Sequence, residues 1–188
     1  MQEYSNYKIT TEPTTEPVSL SEMKSHLRIT DTDEDTLITS LIQGARDWCE
    51  CFENKAYMTK TITAHYDCFG PKMKLPLTPA LSIDSITYID SDGNTQTLDS
   101  SLYELDSYAT PSYIYPSYGS SYPSVRDVPN AITVIYKAGY SATAVPERVK
   151  AAIKLLAAHL YEHRETTSEK LLREIPFGIK NLLFERVF

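Results

Sequence analysis

Between Asn54 and Thr59 the spacing of apolar residues changes from helical to extended, and that switch constrains the fold more than any other feature. Before it, Leu37, Ile38, Leu41, Ile42, Ala45, Trp48, Cys49 and Phe52 recur at three- and four-residue steps, the stripe of an amphipathic helix over about 34–54. After it, "TKTITAHYDCF" alternates β-branched and aromatic residues with polar ones, and "SIDSITYID" does so again. "SDGN" supplies a turn before "TQTL", and "AITVIYKAGY" adds a strand over 132–136 closed by Gly139, so a β-meander is expected. Pro71, Pro76 and Pro79 flank "KLPL", which suits an edge strand or connector.

Helical signals bracket this β-rich stretch. Ser19 with Glu22 reads as a capping box for a short helix over 20–28 with Leu20, Met23 and Leu27 on one stripe. Asp31 with Glu34 repeats the pattern ahead of the long helix, whose apolar face takes the single tryptophan, Trp48, as a packing residue. Pro146 suits the first position of a third helix. There Val149, Ala152, Ile153, Leu156 and Leu160 form one stripe, while Ala151, Leu155 and Ala158 form a second. A helix apolar on two sides wants two partners, its own core and a neighbouring subunit. "SEKLLREIPFGIKNLLFERVF" gives a short helix, a break at Pro176 and Gly178, and a second piece carrying Phe177, Leu182, Leu183 and Phe184.

The expected class is therefore α+β. A small α-helical core, made of an N-terminal helix pair (18–56) and C-terminal helices with a tail (143–188), carries an inserted antiparallel β-rich subdomain (57–142). Residues 1–17 lack periodicity, contain Pro13 and Pro17, and read as a flexible arm.

Composition narrows function mainly by exclusion. The formal net charge of −7 disfavours a protein that grips phosphate backbones. Residues 1–145 carry 19 acidic and 10 basic groups and residues 146–188 carry 6 and 8; an acidic body with a mildly basic tail could favour head-to-tail contact between copies, but an asymmetry this small is usually just solvated surface. Three cysteines, Cys49, Cys51 and Cys68, with no secretory segment before them, read as reduced cytoplasmic thiols. No apolar run approaches the length of a membrane span.

No phosphate-cradling loop, nucleophile elbow or zincin motif occurs. Cys49 and Cys51 on a helix point about 200° apart and cannot easily share an ion, even with His65 and Cys68 downstream. His159 and His163 share a helix face beside Glu162, which suits a metal or proton relay, but histidines near a helix C-terminus are already favoured by its dipole. The carboxylates of "DTDEDT" lack the glycine and distal glutamate of a calcium loop and read as caps, and Asp90, Asp92 and Asn94 as turn residues. Neither a metal nor a cofactor is expected.

Residues 107–124, "SYATPSYIYPSYGSSYPS", hold five of the fourteen tyrosines and three prolines. Lying between two strands, the stretch reads as an ordered extended loop. Its rings, among them Tyr113, Tyr115 and Tyr118, pack on their own sheet or across a subunit boundary.

With these elements placed, the chain resembles the head-tail connector (adaptor, or head-completion) proteins of tailed bacteriophages, in the branch carrying a β-rich insert. Four stretches carry the likeness: "VSLSEMKSHLRI" followed by "DEDTLITSLIQGARDWCE", with its Leu27-Arg28-Ile29 step and Ala45-Arg46 pair; "LPLTPALSIDSITYIDSDGNTQTL"; "PNAITVIYKAGYSATAVPERVKAAIKLLAAHLYEHRE"; and "IPFGIKNLL". Two departures stand out, Tyr122-Pro123 where the family often has tryptophan-proline, and a "FERVF" ending in place of an arginine-bearing tail.

The resemblance implies a non-enzymatic structural protein of the virion neck, made in the bacterial host cytoplasm. It implies a ring, commonly dodecameric, of copies of itself beneath the portal protein, extending a channel through which DNA passes without specific binding. It implies a docking surface for the downstream neck or tail-completion protein, and no membrane. Interface candidates are Val149, Ala151, Leu155 and Ala158, with Tyr113, Tyr115, Tyr118, Phe177, Leu183 and Phe184. Two rival readings are a small β-domain module that binds protein or glycan through exposed tyrosines, and an enzyme built on His159, His163 and distant carboxylates.

Overall fold

A computed structural model describes residues 2–163 and 177–183. The chain divides into two compact units, one of Met1–Thr14 with Asn54–Tyr140 and one of Thr15–Glu53 with Ser141–Phe188. The class is the expected α+β.

The β unit contains strands β1 (Asn6–Thr11), β2 (Lys60–Tyr66), β3 (Met73–Lys74), β4 (Ala80–Ile89), β5 (Thr95–Thr97), β6 (Tyr103–Asp106), β7 (Tyr113–Pro116) and β8 (Ile132–Ala138). Five form one sheet in the order β1-β2-β8-β4-β5, and three form another in the order β3-β7-β6. All the strand pairs are antiparallel. This corrects the expected meander, because β8 lies between β2 and β4 rather than at the end of a sequential run. The reason is burial: β2 and β8 alternate strictly, burying Ile62, Ala64 and Tyr66 on one and Ile132, Val134, Tyr136 and Ala138 on the other, so they belong in the middle. Their register runs unbroken from Lys60 opposite Ala138 to Tyr66 opposite Ile132, whereas β4 meets β8 with two irregularities.

Two further expectations change here. The arm at 1–17 contains β1, which pairs with β2, and Tyr4 and Ile9 pack on the core. Its pattern was faint because five of the six strand residues are exposed. The tyrosine-rich stretch is not wholly loop either: its middle is β7, the central strand of the smaller sheet, with Ile114 buried beneath it. The Asp90 turn is as expected. Its carboxylate accepts from the Asp92 and Asn94 N–H groups (3.0 and 2.8 Å), and Gly93 supplies the positive φ of 91°.

Buried phenols tie this core together. Tyr66 donates to the Lys74 carbonyl (2.7 Å), while Tyr136 accepts from the Leu77 N–H (3.0 Å) and donates to the Leu77 carbonyl (3.2 Å). Each apolar ring fills the core and its hydroxyl satisfies backbone groups that water cannot reach. Where β8 ends, Gly139 adopts φ +114°, and a Cβ there would lie 2.2 Å from the Met58 carbonyl oxygen.

The helical unit contains α1 (Leu20–Leu27), α2 (Asp35–Glu53), α3 (Glu147–Glu162) and α4 (Phe177–Leu183). Ser19 and Glu22 form the predicted capping box, and Arg28 ends α1 in the left-handed region. Glu34 accepts a hydrogen bond from the Tyr161 hydroxyl, fastening the start of α2 to the end of α3, whereas a box onto Asp31 was expected. Pro146 stands one residue before its expected place, as the N-cap of α3. Ile38, Ile42, Ala45 and Cys49 of α2 and Val149, Ala152, Ile153 and Leu156 of α3 are buried where the two helices pack.

Candidate functional site

The two stripes of α3 have different fates. Val149 is 1% exposed and belongs to the helical core, so its assignment to a subunit interface is corrected. Leu183 of α4 is likewise 1% exposed and packs internally. The second stripe faces outward: Leu155 is 43% exposed, flanked by half-buried Ala151 and Ala158. Leu160, which the sequence assigned to the inner stripe, is also exposed. Phe177 is the first residue of α4, and Phe184 lies outside the described residues.

The tyrosines divide in the same way. Tyr113 and Tyr115 are half-buried on the outer face of the smaller sheet, opposite to Ile114, and Lys72 places its ammonium 3.6 Å from the Tyr113 ring centroid. Tyr108, in the connection from β6 to β7, and Tyr118, just after β7, are fully exposed. Tyr122 turns inward and stacks on Phe69 with centroids 4.4 Å apart, and burial pushes its phenol up to about 12.

The helical unit also holds an ionic centre that sequence reasoning touched only through the Ala45-Arg46 pair. Arg46 is buried on α2, and its guanidinium reaches Glu16 (2.8 Å), Glu50 one turn later (3.1 Å) and Asp47 (3.2 Å). Burial raises the Glu16 carboxyl above its ordinary value, outweighing the opposite pull of Arg46. For Arg46 burial works downward, but Glu50, Glu16 and Asp47 together outweigh it and raise the guanidinium. The readable signal was Arg46 and Glu50, four apart beside an apolar stripe.

Of the residues weighed for metal or proton chemistry, the histidine pair of α3 is brought together, while the cysteines and His65 stand in unrelated surroundings. Cys49 is buried, and desolvation with Glu53 and Glu50 nearby pushes its thiol up to about 12; Cys51 and Cys68 are exposed. His65 Nδ1 lies 3.1 Å from the Thr133 hydroxyl. His159 and His163 are adjacent, with ring centroids 4.5 Å apart, and His163 Nδ1 lies 3.0 Å from the His159 carbonyl. Asp35 pairs with Lys24 (2.6 Å). Among the described residues no cluster of three His, Cys, Asp or Glu side chains is arranged to hold a metal ion, and no helix is long and apolar enough to cross a membrane.

Comparison with known proteins follows the same line. Residues 17–100, which include α1, α2 and β2 to β5, match the model of a family described as phage gp6-like head-tail connector protein. No curated protein matches the chain by sequence. Among solved structures, the chain is similar to a protein in the neck of an empty GTA particle computed with C6 symmetry, with a TM-score of 0.77 and 21% identity over 95% of this chain and 93% of that one. It is also similar to a protein in the neck of the native GTA particle computed with C12 symmetry (TM-score 0.75, 21% identity, 95% and 92% covered). A third likeness is to a protein of the native gene transfer agent virion (TM-score 0.73, 21% identity, 94% and 92% covered). These likenesses show that the fold is shared over nearly the whole chain. The family match over 17–100 is to the same family that the four sequence stretches resemble.

Proposed function

We propose that this chain is a structural head-tail connector of the virion neck, made in the host cytoplasm, that assembles as a ring against the portal protein. The ring extends the DNA channel and offers a docking surface to the next neck or tail protein, with no catalytic step. The observation that most supports this reading is the coincidence of the connector-family match over 17–100 with the full-length likeness to proteins of particle necks. Those necks were computed with C6 and C12 symmetry, and a contact between two unlike surfaces that closes on itself produces such a ring.

The chain has properties that suit the task. Helix α3 fills its inner stripe with the chain's own core and leaves Ala151, Leu155 and Ala158 for a neighbour. On this reading the helical stretches 18–56 and 143–188 form the assembling core, and 57–142 is the insert that reaches neighbouring components. A net charge of −7 discourages DNA from adhering as it passes.

The test is co-assembly of the full chain with purified portal protein, followed by light scattering and negative-stain imaging. Rings are expected, alone or with portal, and Leu155→Asp should abolish them while leaving the circular dichroism spectrum intact. A protein that stays monomeric and ignores portal would refute the connector reading.

A further inference from the structure

The two sheets end in four edge strands, β1 and β5 in the larger, β3 and β6 in the smaller. Gln2 covers the outer edge of β3, donating to the Lys72 carbonyl (2.6 Å) and accepting from the Lys74 N–H (3.0 Å). The β5 edge is three uncharged residues, Thr95–Thr97. That leaves β1 and β6, each of which ends its sheet and is paired with a strand on one side, β1 with β2 and β6 with β7. In β6 the bond from Ser117 N–H to the Leu102 carbonyl (3.0 Å) sets the alternation. The backbones of Glu104 and Asp106 face β7, and those of Tyr103 and Leu105 face outward.

We propose that β6 of one copy pairs with β1 of a second copy, joining the smaller sheet of one chain to the larger sheet of the next. This deepens the ring reading and rests on it. Three observations carry it. The faces agree: in β1, Ile9 packs on the core cluster and Lys8 stands opposite Thr63 on the outer face, while in β6, Tyr103 and Leu105 pack inward and Glu104 and Asp106 share the outer face with Tyr115 and Tyr113. Joining the edges therefore continues the apolar side of both sheets and the polar side of both. The charges agree: Lys8 and Glu104 are both exposed, neither has an ion-pair partner among the described residues, and pairing sets them side by side. The symmetry agrees, because β1 and β6 are different surfaces, and only such a contact propagates around a ring. An open edge also invites uncontrolled pairing, which a neighbour's strand prevents by covering it.

The test uses the full chain, with purified portal present if wild type assembles only then, and sedimentation velocity over a concentration series. Glu104→Lys and Lys8→Glu each place two like charges at the seam and should raise the concentration for half-assembly about tenfold. The double reversal should return it to within about twofold of wild type. Hydrogen exchange should show the Tyr103 and Leu105 amides exchanging in the monomer and protected in the ring. Single reversals without effect, a double reversal that fails to restore assembly, or unprotected amides in the ring would each overturn the pairing. Protection that appears only when portal is added to preformed rings would assign the edge to another protein and overturn it as well. A wild type that never assembles refutes the ring reading and this pairing together, whereas normal assembly of the single reversals refutes the pairing alone.

Discussion

The helical unit keeps a guanidinium inside, with Arg46 held by Glu16 and Glu50, while the β unit keeps phenols inside, with Tyr66 and Tyr136 bonded to backbone carbonyls. A buried charge must be matched by another charge, so removing one partner strands the rest. A buried phenol needs only one or two hydrogen bonds, and its ring contributes apolar contact besides. The two units should therefore fail in different ways, the helical one through its charges and caps, and the β one through backbone fit and hydroxyl partners.

Gly139→Val should have the largest effect. Positive φ and a carbonyl at 2.2 Å leave no room for a side chain, so a cost of about 4 kcal/mol is expected, read as loss of amide protection in β2 and β8. Arg46→Met comes next, at about 3 kcal/mol at neutral pH, because Glu16 and Glu50 lose their guanidinium. Denaturant melts should show that cost shrinking on acidification as the Glu16 carboxyl, raised by burial, takes up its proton, and a cost independent of pH would break the contrast between the units.

Tyr136→Phe should cost about 2 kcal/mol by leaving the Leu77 N–H buried without its partner. Burial holds the Tyr66 and Tyr136 phenols far above their ordinary 10.0. The neutral forms therefore contribute fully below pH 10.0, and that contribution is lost as pH rises toward the folded values. The alkaline side of the stability curve should thus be shallower in the variant than in wild type. Ser19→Ala should have the smallest effect, about 1 kcal/mol. The Ser19 N–H and hydroxyl hold the Glu22 carboxyl below its ordinary 4.5, so the cap contributes above that pH and fades as pH falls through the lowered value. The gap between wild type and variant should accordingly close in acid.

The parts legible in the sequence were those set by neighbours along the chain. The Ser19–Glu22 box, the long periodic helix, the Asp90 turn and the two stripes of α3 all follow from residues within a few positions of one another. Strand order was not legible, since placing β8 between β2 and β4 depends on pairings across more than forty residues. β1 escaped because an exposed edge strand shows almost no alternation, and β7 because the prolines around it suggest a loop. Of the candidate site, Leu155 and its flanking alanines were readable as a second stripe. Val149 and Leu183 were not, because an apolar residue alone does not disclose which side of a helix will be filled.

The central position of β8 also bears on how the protein is made. β2 leaves the ribosome with its neighbour still some seventy residues away, and α2 likewise awaits α3. Neither unit can close on a partial chain, because each is completed by a segment from the last third of the sequence. The final folding step is thereby deferred until after residue 138 has emerged, and on the proposed ring reading the same wait keeps an unfinished chain from presenting the outer face of α3 to other copies.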